Sequence, residues 1–218
     1  MSKVYRVYVE KKKAYGVEAN ELLNNIQTQL KMSNVTAASV VNRYDLQGVS
    51  EDVLKQGIPT ILSEPMVDDV YLEDYPVDSD AKVFAIEFLP GQYDQRADAC
   101  EQCFQVLTGE KNVKVKCAKL IVLQGNLTDQ DIERIQKYLI NPVDQRLASL
   151  DKPEHLNDED VHIDPVPVID GFIDMSDDEL KAFIQDNGMA MNEDDLKVTQ
   201  DYFKNEEKRN PTETELKV

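Results

Sequence analysis

The sequence has no tryptophan, two histidines, three cysteines and few basic residues. Each scarcity removes a class of function. Three cysteines, an odd number, make no disulfide framework and stand as reduced thiols. Cys100-Glu101-Gln102-Cys103 has the C-x-x-C spacing, but it falls inside a predicted helix with no second pair. Cys117, His155 and His162 match neither zinc-ribbon nor zinc-finger spacing, so no metal site is expected. Glycine-rich phosphate loops, a Walker lysine and a G-x-S-x-G elbow are all missing. No window approaches the ~20 apolar residues that span a bilayer, and the start Met1-Ser2-Lys3-Val4-Tyr5-Arg6 lacks a signal peptide's apolar run. A cytoplasmic location is therefore expected. Twenty-four bases against 42 acids leave a net charge of −18, which excludes a binder of nucleic acid or of anionic membrane.

What is present is a chain with 41% hydrophobic residues, enough for a real core. Charge divides it unevenly. Residues 1–150 hold 22 acids and 17 bases, whereas residues 151–218 hold 20 acids and 7 bases. A boundary near 150 follows. Residues 151–172 open with Asp151-Lys152-Pro153-Glu154 and include the acidic run Asn157-Asp158-Glu159-Asp160; proline and charge without apolar periodicity make this a linker. The acidic run lacks the spaced ligands and glycine of a calcium loop, and a solvated belt is expected there. Lys11-Lys12-Lys13 is expected to be a solvated turn after the first strand.

The first 150 residues repeat a pattern. Tyr5, Val7 and Val9 alternate as in a strand, and Ala19, Leu22, Leu23, Ile26 and Leu30 then follow helical spacing. Phe84, Ile86 and Phe88 alternate likewise, followed by the helical stripe Ala97, Cys100, Phe104 and Leu107. The β-rich runs from Val35 to Leu46 and from Val113 to Leu123 lead into the same tripeptide, Leu46-Gln47-Gly48 and Leu123-Gln124-Gly125, 77 residues apart. A short helical segment is expected after each. At the same offset Leu62-Ser63-Glu64-Pro65 faces Leu139-Ile140-Asn141-Pro142. The expected fold class is α+β: two tandem β-α-β-α repeats, about 1–76 and 80–150, pairing through their sheets as a pseudo-dimer, since one copy of about 75 residues buries little core by itself. A small all-α domain over 173–218 follows the linker.

In that last domain Ser176 to Glu179 is a capping box opening a helix with Leu180, Phe183 and Ile184 on one face, and Asn187-Gly188 ends it. A second helix starts at Asn192, with Asp195 three residues on, and carries Leu196, Thr199 and Phe203 towards Lys208. Thr212 to Glu215 announces a third. Only Leu216, Lys217 and Val218 remain to form it, and one turn is a poor nucleus. The expectation is a helical domain truncated at its C-terminus, from a natural chain that continues.

The segment from Leu89 to Asp98 concentrates polar chemistry at a strand-to-helix junction. Gln92, Asp94, Gln95, Arg96 and Asp98 are the candidate substrate-facing or interface residues; Arg96 supplies a positive charge, and Asp94 is also the natural N-cap of the helix that follows. No catalytic residue and no metal ligand is expected.

LPGQYDQRADACEQC, with NRYDLQGV before it and INPVDQRLASLDKPE after it, resembles the N-terminal region of the large single-chain phosphoribosylformylglycinamidine synthase family. GFIDMSDDELKAFIQDNGMAMNEDDLKVTQDYFKNEEKRNPTETEL is similar to the helical linker domain ahead of that family's synthetase domain. The resemblance covers essentially the whole chain. It implies a tandem small-subunit-like scaffold and a linker, belonging to a ligase that uses ATP and glutamine to convert formylglycinamide ribonucleotide to formylglycinamidine ribonucleotide in purine synthesis. ATP and Mg would be held by downstream domains, with no cofactor in residues 1–218. The partners implied are the synthetase and glutaminase domains of the same chain. The absent tryptophan and the lack of a nucleophilic Cys/His arrangement fit a segment without either active site. A free-standing acidic module, non-catalytic and binding a small molecule or regulating a partner, is the alternative.

Overall fold

Alternation along the first strand places Val7 and Val9 inside, in β1 (Tyr5–Lys11). A computed structural model describes residues 3–156 and 165–218. Helix α1 (Val17–Thr28) buries Leu22 and Ile26, one turn apart, and leads to the long β2 (Val35–Gln47). Helix α2 (Glu51–Gly57), whose N-cap Ser50 accepts from the Val53 amide, runs into a π-helical turn at Ile58–Leu62 and then β3 (Asp68–Leu72). The next five elements are β4 (Lys82–Phe88), α3 (Gln95–Thr108), β5 (Lys114–Gly125), α4 (Asp129–Leu139) and β6 (Gln145–Ala148). The chain divides into two compact units, Met1–Asp160 and Val161–Val218.

The first unit is a mixed α+β structure with a six-stranded antiparallel sheet, in the order β3-β1-β2-β5-β4-β6. Its two longest strands pair at the centre, from Ala37↔Gln124 to Gln47↔Lys114. Two strands go beyond the expected β-α-β-α order. β3 and β6 are edge strands of five and four residues, too short for period-two alternation to distinguish them from loop.

Because side chains alternate across a sheet, its two faces have separate cores. On the helical face, Phe104 and Cys100 of α3 pack with Val7, Leu46 and Leu54, while Leu22 and Ile26 of α1 pack with Phe84, Leu123 and Ile135. Each of these helices thus covers strands far from it in sequence. The other face holds Tyr8, Val41, Ala85 and Leu120, with Tyr71 and Tyr75 packed against them.

Beside this second core lies a buried ionic group. Arg6 donates to both carboxylate oxygens of Asp45, at 2.6 and 2.8 Å, and Arg43 approaches Asp45 at 3.7 Å. The remaining guanidinium N–H groups reach the carbonyls of Ser149, Leu150 and Asp151. Leu156, in the composition-defined linker, is buried, and its amide donates to Gln47 Oε1. The first residues of the linker, as far as Leu156, are therefore tied down, because side chains of the sheet supply backbone partners that its own composition lacks. The run Asn157 to Asp160, and His162, lie outside the described residues.

In the second unit α5 (Asp177–Asn187), α6 (Glu193–Tyr202) and α7 (Glu213–Lys217) surround Phe172, Leu180, Leu196, Phe203 and Leu216. All three capping boxes form as their spacing predicts, at Ser176, Asn192 and Thr212. The second helix ends as a π-helical turn at Phe203–Glu207, with Lys208 in the left-handed region. The five-residue α7 is held by tertiary contacts. Leu216 is buried, Val168 bridges Thr212, and Arg209 forks onto both oxygens of Glu215 at 2.6 and 3.0 Å.

Arg209, followed by the Thr212 amide and hydroxyl, holds the Glu215 carboxyl down to about 2. A carboxyl depressed in the folded state stabilises it fully above the ordinary carboxylate range and loses that contribution as pH falls towards its own pKa. The Leu216 methyl resonances should therefore lose dispersion between about pH 4 and pH 2, and Glu215→Gln should flatten that transition. An unchanged acid transition in Glu215→Gln would show that other groups control it.

Candidate functional site

Of the five candidate residues, three line one groove and two do not. Asp94 is the N-cap of α3, its carboxylate accepting from the amides of Arg96 at 3.0 Å and Ala97 at 3.1 Å. Gln92 is exposed in the preceding turn, its amide bonded to the Leu89 carbonyl. Asp98 accepts from the Tyr93 hydroxyl at 2.9 Å and from Gln102 at 2.7 Å, a cluster local to the helix. Gln95 and Arg96, with Asp94, instead line a groove on the helical face of the sheet.

The groove has a volume of about 950 Å³ and lies between α1 and α3. Its floor is the β2–β5 junction, where Tyr44 is paired with Cys117 and Asn42 with Lys119. Leu22, Val40 and Ile86 are among its apolar walls. Arg96 donates to the Tyr44 hydroxyl at 3.1 Å. Burial raises the Tyr44 phenol above its ordinary value, and the Arg96 hydrogen bond opposes the shift. Lys119 is paired with Glu18 of α1 at 2.5 Å. Adjoining the groove is a smaller pocket of about 230 Å³, which shares Glu18, Val40, Tyr44 and Arg96 and extends to Gly16, Asn42 and Leu62.

All three thiols border the groove, and none is in a disulfide. Burial pushes the Cys100 thiol up to about 12 and Cys117 well above its ordinary value, so neither is a thiolate nucleophile at neutral pH. Cys103 is exposed. Among the described residues no three His, Cys, Asp or Glu side chains are grouped to hold a metal ion. His155 Nδ1 lies 3.5 Å from the Gln47 amide nitrogen, at the margin of hydrogen bonding.

The groove combines the Arg96 guanidinium, the phenols of Tyr44 and Tyr93, side-chain amides and the Glu18–Lys119 ion pair with apolar walls. That equips it to bind a small polar molecule. Sequence reasoning found the α3 contribution but not Asn42, Tyr44, Glu18, Cys117 or Lys119, which come from three other elements. One signal was available: Asn42 interrupts the apolar series Val40, Tyr44, Leu46 on the inner face of β2. No helix among the described residues is long and apolar enough to cross a membrane. No protein-family model matches the chain, and no curated protein matches it.

Proposed function

We propose that this chain is the N-terminal scaffold and helical linker segment of a large single-chain phosphoribosylformylglycinamidine synthase, contributing shape rather than a chemical step to an ATP- and glutamine-dependent amidoligase. The observation that carries the reading is a 77-residue offset within residues 1–150, which supports an internal duplication. β1 and β4 begin and end 77 residues apart, as do the two Leu-Gln-Gly tripeptides. In the strand order β3-β1-β2-β5-β4-β6 each half has its third strand at the edge, its first in the middle and its second at the centre. Two repeats pairing as a pseudo-dimer account for this order, and for α1 and α3 each packing over strands of the other half. A tandem scaffold followed by a separate helical unit is the organisation the resemblance implies. In this reading ATP, Mg and the glutaminase reaction belong to domains outside residues 1–218. The Gln92 to Asp98 turn then faces a neighbouring domain of the same chain.

The test is to isolate the protein from its native cells with an antibody raised against residues 1–218. The expected antigen is a chain much larger than 24.8 kDa that forms formylglycinamidine ribonucleotide when given formylglycinamide ribonucleotide, glutamine and ATP. A 24.8 kDa antigen without that activity overturns the proposal and favours the free-standing binding module.

A further inference from the structure

β3 stands at one end of the sheet and pairs with β1 alone, in the register Val7↔Leu72, Tyr8↔Tyr71, Val9↔Val70 and Glu10↔Asp69. In an antiparallel ladder, hydrogen-bonded pairs alternate with non-bonded ones. The flanking bonds fix the phase. The Glu73 amide donates to the Arg6 carbonyl at 2.8 Å, and the Lys12 amide donates to the Val67 carbonyl at 2.9 Å. Tyr71 and Asp69 therefore turn their backbone groups towards β1, and Asp68, Val70 and Leu72 turn theirs away from the sheet. The Asp68 amide is used by the Glu64 carbonyl, and the Leu72 carbonyl accepts from the Asp74 amide. The Asp68 carbonyl, both backbone groups of Val70 and the Leu72 amide have no protein partner among the described residues. One incoming antiparallel strand saturates this set. Its residue opposite Val70 exchanges both bonds, and the residues two places to either side take the Leu72 amide and the Asp68 carbonyl.

Side chains along the edge select the strand. Residues from Asp68 to Asp74 include four acids and no base. Lys11 pairs with Asp68 at 2.8 Å, and Lys3 and Lys152 pair with Glu73. Asp69 and Asp74 are exposed and form no ion pair among the described residues. On the opposite face of the strand Leu72 is 51% exposed and Val70 is half-buried, which leaves apolar surface beside the open backbone groups. Residues directly opposite each other on paired strands share a face, where opposite charges attract and like charges repel. A second copy of this chain would bring acids against acids, so the charge guards the edge against self-pairing while favouring a basic strand. The other edge of the sheet differs. β6 has Arg146 and no acid.

We propose that the outer edge of β3 docks an extended cationic segment of a partner protein, added as a further antiparallel strand. The segment carries a base opposite Asp69, apolar side chains opposite Val70 and Leu72, and a second base at the turn formed by Glu73 and Asp74. The edge lies wholly within the first unit, and the proposal holds whether or not the chain is part of a synthase.

The experiment is a ¹H–¹⁵N NMR titration of the full 218-residue chain, at low ionic strength, with the peptide acetyl-Lys-Val-Thr-Val-Lys-amide. Saturable shifts and slowed hydrogen exchange are expected at the Val70 and Leu72 amides, with no shift at Leu147 of β6. The same peptide N-methylated at its second valine keeps both charges but cannot donate to the Val70 carbonyl, and it should bind at least about fivefold more weakly. Asp69→Lys, at an exposed position, should weaken the unmodified peptide about threefold or more. Absence of saturable shifts at Val70 and Leu72 up to about 10 mM peptide overturns the proposal. Equal binding of the N-methylated peptide also overturns it, because charge alone would then be responsible, and so does undiminished binding by Asp69→Lys. Concentration-dependent shifts at Val70 and Leu72 in the protein alone would assign the edge to a second copy and likewise overturn it.

Discussion

Asp45→Ala should destabilise the first unit by about 3–5 kcal/mol, a large part of the 5–15 kcal/mol margin of a typical domain. Asp45 is 3% exposed, and its carboxylate is the shared counter-charge of Arg6 and Arg43, themselves 2% and 5% exposed. Removing it leaves two guanidiniums buried side by side without the carboxylate that bridges them. Burial already holds the Arg43 guanidinium below its ordinary value, with Asp45 opposing that shift, so loss of Asp45 removes what keeps the charge tolerable. The consequence extends beyond the pair, because the same guanidiniums fix the carbonyls of Ser149, Leu150 and Asp151 over the sheet. Urea unfolding should show the midpoint fall in proportion, with faster amide exchange at Leu156. Asp45→Asn keeps the shape and one acceptor oxygen for Arg6, and should cost less than Asp45→Ala. A loss under about 1 kcal/mol for Asp45→Ala would mean that the ionic group is not what holds this face.

The second large effect is expected at the glycines of the duplicated tripeptide. Gly125 has φ +140°, and a Cβ there would lie 2.0 Å from the Asn34 carbonyl oxygen. Gly48 has φ +89°, and its Cβ would lie 2.4 Å from the Asn112 carbonyl oxygen. Both obstacles are backbone, which cannot rotate away as a side-chain tip can. Each glycine ends one central strand and abuts the residues entering the other, so an added methyl must part the ends of β2 and β5. Gly125→Ala and Gly48→Ala should each cost about 3 kcal/mol or more, combining an unfavourable backbone conformation with an overlap. Gly109 supplies the control. It caps α3 at φ +73° with nothing within 4 Å of its missing Cβ, so Gly109→Ala should cost only about 1–2 kcal/mol. Equal losses of thermal stability at all three positions would show that the close approach is not what demands glycine.

The shared Leu-Gln-Gly was legible as text well before its physical reason was. A repeat search finds the tripeptide at a fixed offset; only the register Ala37↔Gln124 and Gln47↔Lys114 shows that each copy closes against the start of the other strand. The candidate site divides in the same way. Asp94 as N-cap follows from its place before a helix, and Arg96 stands out as a base in an acidic chain. Asn42 and Tyr44, 54 and 52 residues earlier than Arg96, carry no local mark of a shared pocket.

Sequence alone determined what depends on neighbours within about four residues: the strands set by alternation at Tyr5 and Phe84, the stripes of α1 and α3, and the capping boxes at Ser176, Asn192 and Thr212. Their hydrogen bonds and buried faces are specified by spacing along one element. Tertiary structure decided the short edge strands β3 and β6, the burial of Leu156, the Arg6–Asp45 pair across 39 residues, and the gathering of Asn42, Tyr44 and Arg96. Those features exist only once β2 and β5 choose their register, because pairing distant strands sets which side chains share a face and which buried charges meet.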